Sequence, residues 1–378
     1  MSEHIPVYKP YLGAPEFAAA QAALELGWLG MGSYVGEFEL AVKNLVEAGD
    51  RHVVAVSTGH AALHLALLLI GAGPGDEIIT PSFNNIADLQ AVTATGASPV
   101  FADIDGKTLC IDLDKAEAMI TPATKAMIVM DYACHLCDHG RVARIAEKHG
   151  IRIIHDAAHA LGSRYEGKAI GSFSDIAMFS FDPVKTVTTI DGGALVVRGE
   201  AEVQALHEMR LIGMKQSSKV MYGNQRAWSY DVERLGFRYH LANMHAAIGL
   251  AQLSKFEVIA DTRRALHRFY CAALADCSGL KLPEQDIGEI VPFMFYVRVL
   301  DGRRAELIDW LKDKGIDTGI HWQPAHNFTL FRNCRRGDLT VTEEVGRQIL
   351  SLPFHSAMAA ADRDRVVGAV KAFFTQGS

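Results

Sequence analysis

The chain has 378 residues, 49% hydrophobic and 21% charged, with a formal net charge of −7. That is an ordinary globular composition with room for two domains, and its acidic balance argues against a nucleic-acid or anionic-membrane surface. No apolar run reaches membrane-spanning length: the longest, Ala61 to Gly71, contains His64 and is too short. Met1 to Pro10 has no apolar signal core, so the expected location is the cytoplasm, and six scattered cysteines do not make a disulfide scaffold.

Short β-branched runs alternate with helical patterns over the first two hundred residues. Strands are predicted at Val53–Val56, Glu77–Thr80, Pro99–Ala102, Lys125–Val129, Ile151–Ile154, Ile176–Phe179 and Ala194–Val197. Between them, helices are predicted at Ala61–Leu69, Ala87–Thr95 and Arg141–His149. Strands spaced by helices imply an α/β domain with a largely parallel sheet. Beyond about residue 200 the pattern changes to helices at Ala201–Leu211 and Leu241–Leu266, a strand at Phe293–Val299, and helices at Ala305–Lys314 and Asp362–Phe374. The expected division is a large domain over 1–250, including the N-terminal segment, and a smaller α+β domain over 251–378.

The segment from Ile151 to Gly193 carries the strongest chemical signal. Asp156 stands just past one apolar strand, and Lys185 follows another about thirty residues later. Ligands of open α/β sheets collect at the carboxyl ends of strands, where both residues fall. Pyridoxal phosphate needs this pair: a lysine amine for a Schiff base, and a carboxylate to keep the ring nitrogen protonated. Ser180, five residues before the lysine, could reach the cofactor phosphate. Taken singly, Asp156 suits a helix cap and Lys185 a solvated loop lysine. Jointly, with Ser180 and the Gly192-Gly193 turn, they favour the cofactor.

The stretches H-D-A-A-H-A-L-G-S, G-S-F-S-D-I-A-M-F-S-F-D-P-V-K, G-G-A-L-V-V, G-P-G-D-E-I-I-T-P-S-F and A-A-I-G-L-A-Q-L resemble the DegT/DnrJ/EryC1/StrS sugar aminotransferases. The resemblance runs from W-L-G-M-G-S-Y-V-G-E-F-E to S-L-P-F-H, nearly the whole chain. It implies the aspartate-aminotransferase fold (fold type I) and pyridoxal 5′-phosphate as cofactor. Lys185 would be the Schiff-base lysine, Asp156 the partner of the pyridine nitrogen, His159 a neighbour of the phenolic oxygen, and Ser180 a phosphate ligand. Members that become sugar dehydratases replace the lysine with histidine, so retained Lys185 favours amino transfer. The resemblance further implies a homodimer with active sites at the interface.

Ser57-Thr58-Gly59-His60, between a strand and a helix, is the second candidate phosphate element, since helix N-terminal N–H groups favour anions. Simple capping by Thr58 explains that turn equally well by itself. His60 replaces the family's usual threonine. Asn85 stands where relatives often place a ring-stacking aromatic, so an amide must pack there or an aromatic must come from elsewhere. Arg238 replaces an asparagine that, in relatives, reaches the neighbouring subunit's cofactor phosphate. A charge-assisted contact there and a plain surface arginine both stay open. In His321-Trp322-Gln323-Pro324-Ala325-His326, the residues His321, Trp322 and His326 are candidate substrate contacts, with packed aromatics as the alternative. Cys134 and Cys137 have metal-site spacing but no second pair at a recognisable distance, so no metal is expected.

The expected function is transamination of a keto-sugar carried on a nucleotide, with glutamate as amino donor. The product would be an amino sugar for surface polysaccharide, glycolipid or antibiotic. A cofactor-dependent sugar dehydratase or lyase and a non-catalytic cofactor-binding regulator are the alternatives.

Overall fold

A computed structural model describes residues 4–284 and 287–375. Its centre is a seven-stranded sheet built from β1 (His52–Val56), β2 (Glu77–Pro81), β3 (Ser98–Ala102), β4 (Thr124–Met130), β5 (Arg152–Asp156), β8 (Ile176–Ser180) and β9 (Gly193–Val197). A two-stranded hairpin, β6 (Arg164–Tyr165) and β7 (Lys168–Ala169), interrupts the chain between β5 and β8. The strand order is β1-β9-β8-β5-β4-β2-β3, and only β9 runs against its neighbours. This is the mixed α/β, largely parallel architecture expected of fold type I.

The strands are apolar almost throughout because both faces of the sheet are covered. Alternate residues go to opposite sides. Val54, Val56, Ile128, Ile154, Ile176 and Leu195 pack under α3 (Gly59–Leu69), α4 (Ile86–Ala94) and the helix Glu200–Arg210. On the other face Val53, Ala55, Ala177, Phe179, Ala194 and Val196 meet the helices Ser33–Leu45 and Asn243–Ser254.

The structure adds helices at Ala14–Leu26 and Ser33–Leu45 that the sequence pattern did not announce. It also divides the single helix expected over Leu241–Leu266 into Asn243–Ser254 and Phe256–Leu274. Lys255, at φ −113° and ψ 20°, leaves the helical basin. Its ammonium reaches Glu16 (2.7 Å) and the Tyr11 carbonyl (2.7 Å), tying the break to the N-terminal segment. Neither Ser254 nor Lys255 is a glycine or proline, so no local chemistry marks the break.

Toward the C-terminus, after a two-stranded pair β10 (Met214–Lys215) and β11 (Asp231–Val232), a separate antiparallel sheet forms. It comprises β12 (Leu280–Lys281), β13 (Phe295–Val299) and β14 (Ile349–Leu352). Its core joins Leu266, Tyr270, Phe295, Val297, Leu350 and Val370, and recruits Ile5 from the other end of the chain. Ile5 bonds Gly315 and Asp317 through its backbone, so this part of the chain is built into the unit. Among the described residues no helix is long and apolar enough to cross a membrane.

Candidate active site

A cavity of about 470 Å³ lies where β4, β5 and β8 end and α3 begins. Thr58, Gly59, His60, Asn85, Asp156, His159, Ser180, Lys185, His321 and Trp322 all line it. The parallel strands deliver Asp156 and Ser180 to one edge, and the loop after β8 brings Lys185 back over it.

Lys185 is half-buried, its Nζ 4.4 Å from the centre of the Phe293 ring. Burial pushes its pKa down, while the nearby acidic groups, Asp156 foremost, oppose the shift. An amine held closer to neutrality is a better nucleophile and proton acceptor. Asp156, only 4% exposed, accepts the Ala158 N–H at 2.9 Å. Burial raises its pKa, against that backbone bond and the Lys185 charge.

His159 is buried, and burial holds its imidazole pKa well below the usual range, with Lys185 adding to the effect. Its Nδ1 accepts from the Ala133 N–H at 3.4 Å, which leaves Nε2–H as the donor. The ring stacks on Phe293 at 4.2 Å and 15°, with Trp322 nearly parallel at 6.2 Å. Asn85 spends its side-chain oxygen capping α4 through the Ala87 N–H (2.9 Å). The cavity's aromatic surface therefore comes from Tyr8, Phe293 and Trp322 instead of position 85.

At the opposite end Thr58 caps α3, its hydroxyl accepting from the Ala61 N–H at 2.8 Å. The first N–H groups of this eleven-residue helix have no carbonyl one turn earlier to bond, and its dipole favours an anion. Gly59 packs against Ser180 so closely that a Cβ would lie 2.8 Å from the serine Cβ and Oγ. The His60 ring turns aside to the Ala87 carbonyl at 3.1 Å.

Residues 10–371 match the DegT/DnrJ/EryC1/StrS aminotransferase family. The chain belongs to that family. It is 30% identical to the aminotransferase TlmJ of Streptoalloteichus hindustanus, with a TM-score of 0.91 and coverage of 98% of this chain and 99% of that one. The sugar aminotransferase CalS13 of Micromonospora echinospora is 26% identical, with a TM-score of 0.87 and coverage of 97% and 99%. Spr1654 of Streptococcus pneumoniae, solved in a PLP form, is 25% identical, with a TM-score of 0.90 and coverage of 99% of each chain.

The family's aminotransferases depend on pyridoxal phosphate. This cavity fits that cofactor on its own chemistry. It holds an amine, a buried carboxyl group, and helix N-terminal donors beside the Ser180 hydroxyl. It also holds a buried donor that no protein group satisfies, Trp322 Nε1. Buried polar atoms without partners are costly unless a ligand supplies one.

Two expected site residues lie elsewhere. Arg238 is exposed and lines a second groove with Trp28, Met31, Trp228 and His240. His326 is buried behind the site, with Nδ1 2.8 Å from the Ser82 hydroxyl and Nε2 3.5 Å from Glu343. Its place in the turn Ala325–Asn327 points it at the β2–α4 connection and away from the cavity.

Tyr8, Asp88 and Phe293 are among the lining residues that sequence reasoning passed over. Tyr8 and Phe293 carry no local signal, since both arrive through long-range packing. Asp88 did carry one: a lone carboxyl on the apolar face of I-A-D-L-Q-A-V, fully buried. Cys134 and Cys137 are buried free thiols, the Cys137 thiol lying 3.3 Å from the Met130 carbonyl. Nearby, Asp131 accepts from His139 (3.0 Å) and His155 (2.7 Å), a buried cluster whose imidazoles hold the carboxylate pKa down against its burial.

Proposed function

We propose that this aminotransferase converts a keto-sugar carried on a nucleotide diphosphate into an amino sugar, taking the amino group from glutamate. The product would serve surface polysaccharide, glycolipid or antibiotic biosynthesis, with the enzyme a cytoplasmic homodimer. The observation that carries the reading is the meeting of the Lys185 amine with the buried Asp156 carboxyl in one cavity. The sugar class draws support from CalS13, a sugar aminotransferase with 97% coverage of this chain.

Lys185 would carry the covalent link, and Asp156 would pair with the pyridine nitrogen. Ser180, Gly59, Thr58 and the α3 N-terminus would hold the phosphate, and His159 would donate from Nε2 to the ring's phenolic oxygen. When bound, pyridoxal phosphate supplies an aldehyde for that link and an electron sink for the adjacent carbon. The Lys185 amine, biased toward neutrality by burial, would accept a proton from the substrate and give it back. Phe293 covers this amine at 4.4 Å, and Trp322 lines the same cavity. His321 and the unsatisfied Trp322 Nε1 are the proposed sugar contacts. Arg238, exposed on the second groove, would serve a partner subunit's phosphate.

The two-domain division, 1–250 and 251–378, is proposed on the separate three-stranded sheet, whose core also takes in Ile5 from the first part. The functional reading is tested by incubating the loaded enzyme with glutamate and a panel of nucleotide-linked 3- and 4-keto-sugars. The expected result is one amino sugar formed per 2-oxoglutarate released. Deoxygenated sugar without 2-oxoglutarate would mean the lyase alternative, and no turnover across the panel would reject the substrate class.

A further inference from the structure

Asp88 sits on the first turn of α4, 0% exposed, and lines the same cavity as Asp156. One of its oxygens, Oδ2, accepts from the Asn84 side-chain amide at 2.5 Å, and that amide also bonds Thr80 at 3.0 Å. The other oxygen, Oδ1, is buried without any donor. Asp88 and Asp156 line one cavity, and the charge of Asp156 bears on Asp88. Asp156 has its own backbone donor, the Ala158 N–H, on Oδ1. Among the described residues no arginine or lysine forms an ion pair with Asp88, and Lys185 is a cation that acts on both carboxyl groups.

Two adjacent carboxyl groups in a dry site cannot both stay ionised, because each charge penalises the other where solvent cannot screen them. One proton must be kept between them. Asp156 holds the charge better, since it has the backbone N–H and the counter-charge of Lys185. Asp88 has only a neutral amide. Burial first, and then the Asp156 charge, push the Asp88 pKa well above the usual carboxylate range. A proton on Asp88 Oδ1 would give that atom the partner it otherwise lacks.

We propose that Asp88 is a positioning residue: it remains a neutral carboxylic acid and donates its proton to Asp156. The pair then carries one negative charge, and Asp156 is fixed from two sides, by Ala158 N–H and by the Asp88 hydroxyl. This rests on the reading of Asp156 as the partner of the pyridine nitrogen. Its consequence is that the carboxylate is pre-oriented before the cofactor arrives, and that Asp156 is a weaker base than a lone buried aspartate.

The test reads the proton directly. Holoenzyme made with carboxyl-labelled aspartate is compared with unlabelled enzyme by infrared difference spectroscopy at about pH 8, some four units above an ordinary aspartate. The wild type should show an isotope-sensitive carbonyl band of a protonated carboxyl group, and Asp88→Asn should lose it. Asparagine keeps a neutral donor, so cofactor affinity in Asp88→Asn should stay within about threefold, whereas Asp88→Ala should lose about tenfold or more, the size of one charge-assisted bond. Absence of the band in the wild type, or its survival in Asp88→Asn, overturns the proposal. Equal affinity in the alanine and asparagine variants overturns the positioning role, and the infrared result decides the protonation even where the alanine variant does not fold. Asp156→Asn examines the underlying reading separately. An unchanged cofactor spectrum and affinity there would remove Asp156 as the pyridine partner, while the Asp88 band would still decide where the proton sits.

Discussion

Gly59→Ala is the substitution whose effect the structure fixes most tightly. Gly59 begins α3 with its φ outside the left-handed region, so alanine brings no backbone strain. Its Cβ would stand 2.8 Å from both Cβ and Oγ of Ser180 and 3.4 Å from the Met178 methyl. Rotating the serine moves only Oγ, so the end of β8 has to part from α3. Such overpacking costs about 1–3 kcal/mol, and better helix propensity returns up to about 1 kcal/mol, leaving a net loss of roughly 0–3 kcal/mol with its centre at about 1.5. The displaced hydroxyl also leaves the anion site, and loss of a contact worth about 1.4 kcal/mol weakens cofactor binding tenfold. Cofactor titration of apoprotein, with urea denaturation alongside, measures both quantities. The decisive arm is the double variant. Gly59→Ala with Ser180→Gly should bind cofactor as Ser180→Gly does alone, because the clash has gone, whereas Ser180→Ala should give no relief because its Cβ remains. Strictly additive effects, or a Gly59→Ala protein as stable and as tightly bound as wild type, would refute the close approach as the reason for glycine.

Asp156→Asn should lower turnover about a hundredfold or more, since the group that stabilises developing charge is lost, with a smaller effect on cofactor retention; steady-state and titration measurements separate the two. Arg238→Ala should weaken cofactor affinity by about ten- to a hundredfold if the arginine serves the partner's phosphate. In mixed dimers of Lys185→Ala with Arg238→Ala subunits, the surviving catalytic site should then bind normally, and a weakened surviving site would place the contact in cis. Stability should also fall in mild acid. Burial pushes His135 and His267 down to about 4, so both stay neutral in the fold while the unfolded chain takes up protons below its ordinary value near 6.5. Their contribution is complete above about pH 6.5 and is lost as pH falls toward 4, up to about 3 kcal/mol per imidazole, which urea titrations at the two ends would show.

The sheet was readable because each parallel strand is apolar on both faces and bounded by turn residues; β1, β2, β4 and β5 fall within two residues of the expected places. Asp156, Ser180 and Lys185 were readable for the same reason, as each follows directly from where a strand ends. The helix break at Lys255 was not, because it is set by Glu16 and the Tyr11 carbonyl, more than two hundred positions away. The aromatic wall was hidden likewise: Tyr8 comes from the N-terminus and Phe293 from just before β13. His326 shows the converse limit, since proximity to Trp322 in sequence does not survive the turn that carries it to Ser82. Asp88 was legible in principle, and the cue was a carboxyl at a position where helical periodicity demands an apolar side chain.

The central claim is that the amine in the cavity is the one that binds the cofactor covalently. The direct measurement is borohydride reduction of the loaded enzyme followed by peptide mass mapping, with Lys185→Ala treated in parallel. The added mass should fall on Lys185 alone, the visible absorbance of the linked cofactor should bleach, and the Lys185→Ala protein should take no label and show no transamination. Label on another lysine, or near-normal turnover in Lys185→Ala, would contradict the account.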